Sequence, residues 1–257
     1  MLNPDKSEAI WCTTSQRQHQ LPTATILVVG VPITPVRFVC DLCIYIDADL
    51  LMWAHVNRTV LGCFAALRQL RHIRRPVPAA TFQILVVALV HSLLDYGNAV
   101  LVGIPTYLVR RLQSVLNAAA WLIYHLRPHD HITEELATLH WLHIPERVQC
   151  KIAVLMYKVL HESAPRYLGS LVTVADLPGR RAVWSASTSY LVMPPIKLTT
   201  VGNRAFPVAA AQVWNSLPEA VISSSSMQSF RRQLKIHLFQ LSVHTWFCDC
   251  LSRLPSW

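Results

Sequence analysis

HVNRTVLGCFAALRQLRHIRR, residues 55–75, sets the fold, because its apolar residues recur with the period of an α-helix. Five of them fall on one stripe: Val56, Val60, Cys63, Leu67 and Leu70. Arg68, Arg71 and Arg75 fall together on another stripe, and Pro76 ends the segment. The sequence therefore predicts an amphipathic helix with a basic face.

Helical patterns continue on the C-terminal side of this segment. A nearly all-apolar helix is predicted at about residues 79–102, ending at Gly103, and its composition favours a central position. Three amphipathic patterns follow, at about residues 107–126, 133–140 and 145–162. The middle of the chain is therefore predicted to be a helical bundle.

The N-terminal 50 residues instead predict short strands. Residues 23–29 and 36–46 are rich in β-branched side chains, and Pro32 and Pro35 lie between them as turn formers. Two or three strands fit this stretch, which is too short for an independent sheet. Together with the helices, these strands predict an α+β class that is predominantly α.

Beyond Pro165 the helical periodicity weakens. Residues 176–181 predict a turn-rich basic loop, 190–193 a strand, and 206–215 a short helix. A last helix is predicted at 227–241, with three cations on its outer face: Arg231, Arg232 and Lys235.

Composition narrows the classes of function. The net charge is +9, and it divides into −2 through residue 50 and +11 in the remainder. Such an excess favours a polyanion, either nucleic acid or an anionic membrane surface. The most apolar stretch, residues 84–94, is about half the length that spans a bilayer, so no membrane segment is expected. Seven scattered Cys form no disulfide framework, which indicates an intracellular protein of the cytoplasm or nucleus.

Several stretches, in order and spacing, carry a resemblance to a known family. They are LNPDKSE (2–8), the segment 41–49 with HVN (55–57), CFAALRQLR (63–71), LVHSLLDYGNA (89–99), RLQSVLNAA (111–119), LHWL (139–142), AQVWNSLP (211–218) and SFRRQLK (229–235). Together they resemble the reverse transcriptase of non-LTR (LINE-type) retrotransposons, downstream of its catalytic core. The resemblance covers about residues 1–240.

The resemblance implies a division of the chain. Residues 1–52 would be a remnant of the polymerase palm and 53–165 a helical thumb-like bundle. A C-terminal extension would occupy 166–241, and the tail 242–257 is unassigned. Lys6 matches the palm lysine thought to assist the leaving pyrophosphate, with Ser7 where Thr is usual. Asp41–Ile46 matches the following strand, and Cys43 stands where the family commonly has Gly.

Catalysis is not expected, although the parent family is an Mg-dependent RNA-directed DNA polymerase. Phosphoryl transfer needs paired carboxylates that hold two metal ions, and the resemblance puts that pair upstream of residue 1. Asp47 and Asp49 are a close pair, but they lie on the other side of the lysine segment. They are predicted to act at a strand end or as helix caps. No catalytic residue, metal site or cofactor is therefore expected.

The resemblance implies weak binding to the backbone of a primer-template, RNA or DNA, through cationic side chains. The predicted nucleic-acid-binding residues are Arg68, Arg71, Arg74, Arg75, Arg110, Arg111, Arg231, Arg232 and Lys235. Taken one at a time, each of these side chains is interpreted as part of a solvent-exposed helix face. Two alternatives stay open: a host-recruited helical module that binds a protein partner, and a translated pseudogene without selected function. The oligomeric state is open as well.

Other clusters favour structural roles. Five histidines lie at positions 125, 129, 131, 140 and 143, but no Cys or carboxylate pair completes a zinc-ligand set. The Cys pairs at 40 and 43 and at 248 and 250 are interpreted as incidental thiols. Four tryptophans, at 121, 141, 184 and 214, are predicted to be mostly core residues.

Overall fold

A computed structural model describes residues 3, 6–28, 30–127, 130–168, 190–196 and 199–251. Helices dominate, and the strands form two small antiparallel pairs. The predicted class, α+β and predominantly α, is confirmed. The predicted basic loop at 176–181 and Trp184 lie outside the described residues.

Residues 26–47 form two β-hairpins. In the first, β1 (Ile26–Val28) pairs with β2 (Val31–Ile33), and in the second, β3 (Phe38–Asp41) pairs with β4 (Ile44–Asp47). The expectation that Pro32 forms a turn is wrong, because Pro32 lies inside β2 opposite Leu27. A two-stranded pair tolerates proline, since its missing N–H need not be directed at the partner strand.

The predicted strand at 36–46 is also two strands, because the chain reverses at Leu42 and Cys43. Their φ angles are 46° and 62°, the left-handed pair of a primed two-residue turn. Such a turn favours Asn and Gly, and an L side chain there costs roughly 1–2 kcal/mol. Because the turn lacks the usual Asn-Gly pair, the sequence pattern did not predict this hairpin.

The helices are α1 (Trp53–Ile73), α2 (Ala79–Val86), α3 (Ser92–Asp95), α4 (Thr106–Tyr124), α5 (Thr133–Thr138), α6 (Ile144–Leu160), α7 (Thr199–Gly202), α8 (Phe206–Asn215), α9 (Glu219–Ile222) and α10 (Met227–Leu251). The predicted amphipathic helices correspond to α1, α4, α5, α6 and α8 within a few residues. The predicted last helix is longer than expected, since α10 continues ten residues past Leu241.

The helix predicted over 79–102 is wrong in its extent. A π-helical turn at Val87–His91 joins α2 to α3, and the helix then stops before Gly97. Gly97 has a φ of +64°, and a Cβ there would lie 2.8 Å from the Ile44 side chain. Both facts favour glycine at this position. A separate 3-10 helix, Asn98–Leu101, follows.

The same segment was predicted to be central in the bundle, but only one of its sides is buried. One side is buried, through Phe82, Val86, Val90 and Leu94. The other side exposes four large apolar residues: Ile84, Val87, Leu89 and Leu93. An all-apolar helix is usually buried all round, so this exposed face departs from the usual pattern.

The chain divides into two compact units. Unit 1 contains residues 1–97 and 104–123, and unit 2 contains residues 98–103 and 124–257. Both hairpins therefore belong to the same unit as α1, α2 and α3. These boundaries differ from the divisions at 52/53 and 165/166, which remain a prediction about palm and thumb.

In unit 1, α1 and α4 run in the same direction. Arg111 near the start of α4 donates to Asn57 near the start of α1, and Arg74 after α1 reaches the last turn of α4. The β3–β4 hairpin packs on α1 through β4, and the hydroxyl of Tyr96 donates to the carbonyl of Leu42 in its turn. The hairpin is thereby fixed at the N-terminal end of α1.

In unit 2, α6 is the central helix and packs against α8, α10 and the 3-10 helix at Asn98–Leu101. Trp214, Phe230, Ile152 and Met156 are fully buried there. The strand predicted at 190–193 is absent from the described part of the chain. At Leu191, the Asn215 side-chain amide donates to the backbone carbonyl, and its oxygen accepts from the backbone N–H.

Candidate nucleic-acid interface

Arg68, Arg71 and Arg75 form the α1 basic face. Arg68 and Arg71 lie one helical turn apart, and Arg75 lies just beyond the end of α1; all three are exposed. No hydrogen bond or ion pair joins their side chains to another described residue. Cations near a helix C-terminus also interact favourably with its dipole, by typically 0.3–1 kcal/mol. Their charges are nevertheless available to an anionic ligand.

Arg74, in the middle of this set, has a different position. Its guanidinium donates to the carbonyls of Ile123 at 3.0 Å and Leu122 at 3.4 Å, and lies 4.7 Å from the centre of the Phe82 ring. These carbonyls belong to the last turn of α4, which leaves its final acceptors without helical partners. Arg74 therefore caps α4, and we withdraw it from the predicted binding set.

The two arginines of α4 differ in the same manner. Arg110 is exposed, and no described side chain or carbonyl accepts from it. Arg111 is half-buried, and its guanidinium donates to Asn57 Oδ1 at 2.7 Å. Arg110 is available for ligand contact, whereas Arg111 joins two helices.

Acidic residues are scarce in the part of the sequence that contains these cations. Between residues 51 and 127 the sequence has eight Arg and one acidic residue, Asp95. Neither α1 nor α4 contains any Asp or Glu. Since neither helix has a carboxylate of its own, the exposed arginines give α1 and α4 a net positive surface.

Unit 2 carries the remaining predicted cations on α10. Arg231, Arg232 and Lys235 are exposed, as predicted for the outer face of that helix. The Lys235 ammonium lies 5.9 Å from the centre of the Phe239 ring. Since these residues belong to a separate unit, they form a second basic surface that is considered by itself.

The carboxylates of Asp47 and Asp49 both bind backbone amides. Asp47 accepts from Ala54 N at 3.1 Å in the first turn of α1, and Asp49 accepts from Leu51 N at 3.0 Å. The predicted roles as helix cap and strand-end turn are confirmed. Burial raises the pKa of the Asp47 carboxyl, although the amide of Ala54 partly offsets this effect.

Lys6 is exposed, and no hydrogen bond or ion pair joins its side chain to another described residue. No group of three or more His, Cys, Asp or Glu that could hold a metal ion occurs among the described residues. His143 instead contacts the Ser242 hydroxyl through Nδ1 at 2.8 Å, and burial lowers its pKa. Within the described part of the chain, no helix is long and apolar enough to cross a membrane.

Sequence reasoning missed Arg58 on α1. Its guanidinium lies 4.2 Å from the centre of the Tyr45 ring and donates to the Tyr45 hydroxyl at 3.1 Å. The contact joins a hairpin to a helix, so helical periodicity gave no sign of it. The only available signal was an aromatic residue in a predicted strand followed by an arginine in the next helix.

Comparison of this chain with protein-family models, curated proteins and solved structures found no match.

Proposed function

We propose that this chain is the C-terminal part of a LINE-type reverse transcriptase, palm end plus thumb, that binds nucleic-acid backbone without catalysis. The observation that carries the proposal is the acid-free pair α1 and α4, which exposes Arg68, Arg71, Arg75 and Arg110. Phosphate contacts need cations and no base reading, so such a surface fits RNA or DNA duplexes.

Three residues of the stretches that carry the resemblance have particular backbone conformations or hydrogen bonds in the structure, and these support the proposed family. Gly97 has a left-handed backbone and lies close to the Ile44 side chain, and Asn215 holds Leu191 through both amide atoms. Cys43 has a left-handed backbone at the position where the family commonly has Gly. The resemblance rests on the sequence alone, and these backbone conformations and hydrogen bonds are separate observations.

The absence of catalysis is part of the proposal. Asp47 and Asp49 direct their carboxylates to backbone amides, which gives both residues a structural role. We expect the purified chain to incorporate no nucleotide into a primed template with Mg²⁺ or Mn²⁺. Measurable incorporation would overturn this part of the proposal.

Charge reversal tests the binding function. Substituting Arg68, Arg71 and Arg75 by Glu should weaken duplex binding more than tenfold and reduce the salt slope by about three, one per phosphate contact. Fluorescence anisotropy with a labelled duplex measures both quantities. The Arg17→Glu variant is a control, because Arg17 is also exposed but lies outside these helices.

A neutral triple variant with Gln at the same three positions separates binding from stability. It lacks the repulsion that Glu would introduce at the C-terminal end of α1. We expect both triple variants to lose binding while the Gln variant keeps the unfolding midpoint of the wild type. Undiminished duplex binding by either variant would contradict the proposal.

A second candidate function has its own supporting observation. Ile84, Val87, Leu89 and Leu93 expose an apolar face that a protein partner could cover. In that case the chain would be a host-recruited interaction module, and reversing the charges of the α1 basic face would leave partner binding intact.

A further inference from the structure

We propose that unit 1 also binds single-stranded nucleic acid by base stacking on a cluster formed by Phe38, Tyr45 and Arg58, called here the stacking cluster. This inference rests on the proposed nucleic-acid binding and adds a second contact mode to it. Backbone contact depends on phosphate charge alone, whereas this cluster would bind the flat faces of unpaired bases.

The two aromatic rings are diagonal neighbours across the β3–β4 hairpin. Phe38 pairs with Asp47 and Tyr45 with Cys40, which brings the rings to a centroid distance of 6.2 Å at 62°. Phe38 is 45% exposed, an unusual position for a phenyl ring with no polar group. Its ring therefore offers an apolar surface to solvent.

Arg58 completes the cluster from α1. Its guanidinium lies over the Tyr45 ring, and the hydrogen bond to the Tyr45 hydroxyl fixes its orientation. A guanidinium held over a ring is a recurrent platform for unpaired bases, which stack on arginine planes as well as on aromatic rings. Since Arg58 is exposed, its outer side remains open.

The charges around the cluster suit a nucleic-acid strand. Arg37 directly precedes Phe38 and is exposed, and no described carboxylate binds Arg37 or Arg58. Asp47, which lies opposite Phe38 in the register, directs its carboxylate to the amide of Ala54 at the start of α1. An exposed guanidinium and an exposed aromatic ring, with a further exposed cation next in the sequence, are groups that single-strand binding surfaces use.

A single strand is favoured over a duplex because a paired base does not expose its face. The stacking interaction is tolerant of sequence, and it acts on RNA and DNA alike because every base has a flat face. We therefore expect equal stacking with a ribo- and a deoxyribo-oligonucleotide of the same sequence.

The test measures binding of the full chain to a 12-nucleotide oligo(dU), to oligo(U), to an abasic strand of equal length and to a duplex. The wild type should bind both base-containing strands at least about fivefold more tightly than the abasic strand. Phe38→Leu, which keeps an apolar side chain without a ring, should remove this difference. Phe38→Trp should retain it.

One further variant extends the test and another serves as a control. Arg58→Lys keeps the charge but loses the planar group, and should weaken binding of the base-containing strands more than that of the abasic strand. Leu27→Ala alters an exposed apolar residue of the other hairpin and should change nothing. Duplex binding should be the same in all of these variants.

The outcomes separate the two proposals. If the abasic strand binds as tightly as the base-containing strands, or if Phe38→Leu behaves like the wild type, the stacking inference is overturned while duplex binding stands. If neither a duplex nor a single strand binds, both proposals are overturned.

Discussion

In unit 1 the half-buried side chains of Asp47 and Arg74 bind backbone groups at helix ends, whereas in unit 2 the Glu146 carboxyl is buried with one oxygen unpaired among the described residues. Asp47 caps the start of α1, and Arg74 caps the end of α4. In unit 2, Glu146 is buried in the first turn of α6, and its Oε2 has no hydrogen-bond partner among the described residues. Burial raises the pKa of this carboxyl.

The comparison teaches that position, and not charge, decides what an ionic side chain does here. A charge at an unsatisfied helix end stabilises the fold, because the backbone there lacks partners. A charged side chain can instead stay in solvent, as Arg110 does, or carry a desolvation penalty when it is buried, as Glu146 does. Only the solvent-exposed class is available for a ligand.

Removal of the Arg74 cap should give the largest stability effect. Arg74→Ala deprives two carbonyls at the end of α4 of a charged donor, and we expect the free energy of unfolding to fall by about 2 kcal/mol. Arg75→Ala, one residue along but exposed, should change it by less than about 0.5 kcal/mol. Urea unfolding measures both values. Equal losses would abolish the distinction between capping and exposed arginines.

Removal of the Asp47 cap at the start of α1 should have a smaller effect. Asp47→Ala leaves the amide of Ala54 without its acceptor and should destabilise unit 1 by about 1 kcal/mol. Asp47→Asn keeps an acceptor oxygen and should lose less. Asp41→Ala is the control, since Asp41 is exposed at the end of β3. A loss in the control as large as that in Asp47→Ala would refute the capping role.

Substitution of Glu146 should raise the free energy of unfolding, whereas loss of either cap should lower it. Its folded pKa is raised above the ordinary value of 4.5, so the folded state holds the proton more tightly than the unfolded state. The carboxyl therefore lowers stability as pH rises above the unfolded value. Glu146→Gln should be more stable than wild type at pH 7, and the difference should shrink at pH 4. Urea unfolding at both pH values checks the sign, and a less stable Gln variant at pH 7 would reverse the interpretation.

Sequence periodicity predicted α1 well because its buried and exposed residues alternate at helical spacing. Val56, Val60 and Leu67 are buried, and Arg68 and Arg71 are exposed, as the pattern indicated. The segment at 79–102 has no such alternation, so neither its break at Gly97 nor its exposed face could be derived from the residues alone.

The candidate site was predicted only in part, for a physical reason. Arg71, Arg74 and Arg75 look alike in the sequence, and their roles separate only because the end of α4 lies beside Arg74. Arg58 owes its position to Tyr45 on a hairpin whose turn lacks the usual residues. Contacts between distant elements decide these roles, and helical periodicity contains no information about them.

The most direct test of the central claim is the salt dependence of duplex binding by the unmodified chain. If Arg68, Arg71, Arg75 and Arg110 each neutralise a phosphate, a plot of log K against log salt should have a slope of about −3.6 or steeper. Cations of α10 that also bind would steepen it further. Undetectable binding, or binding that does not change with salt, would contradict the account.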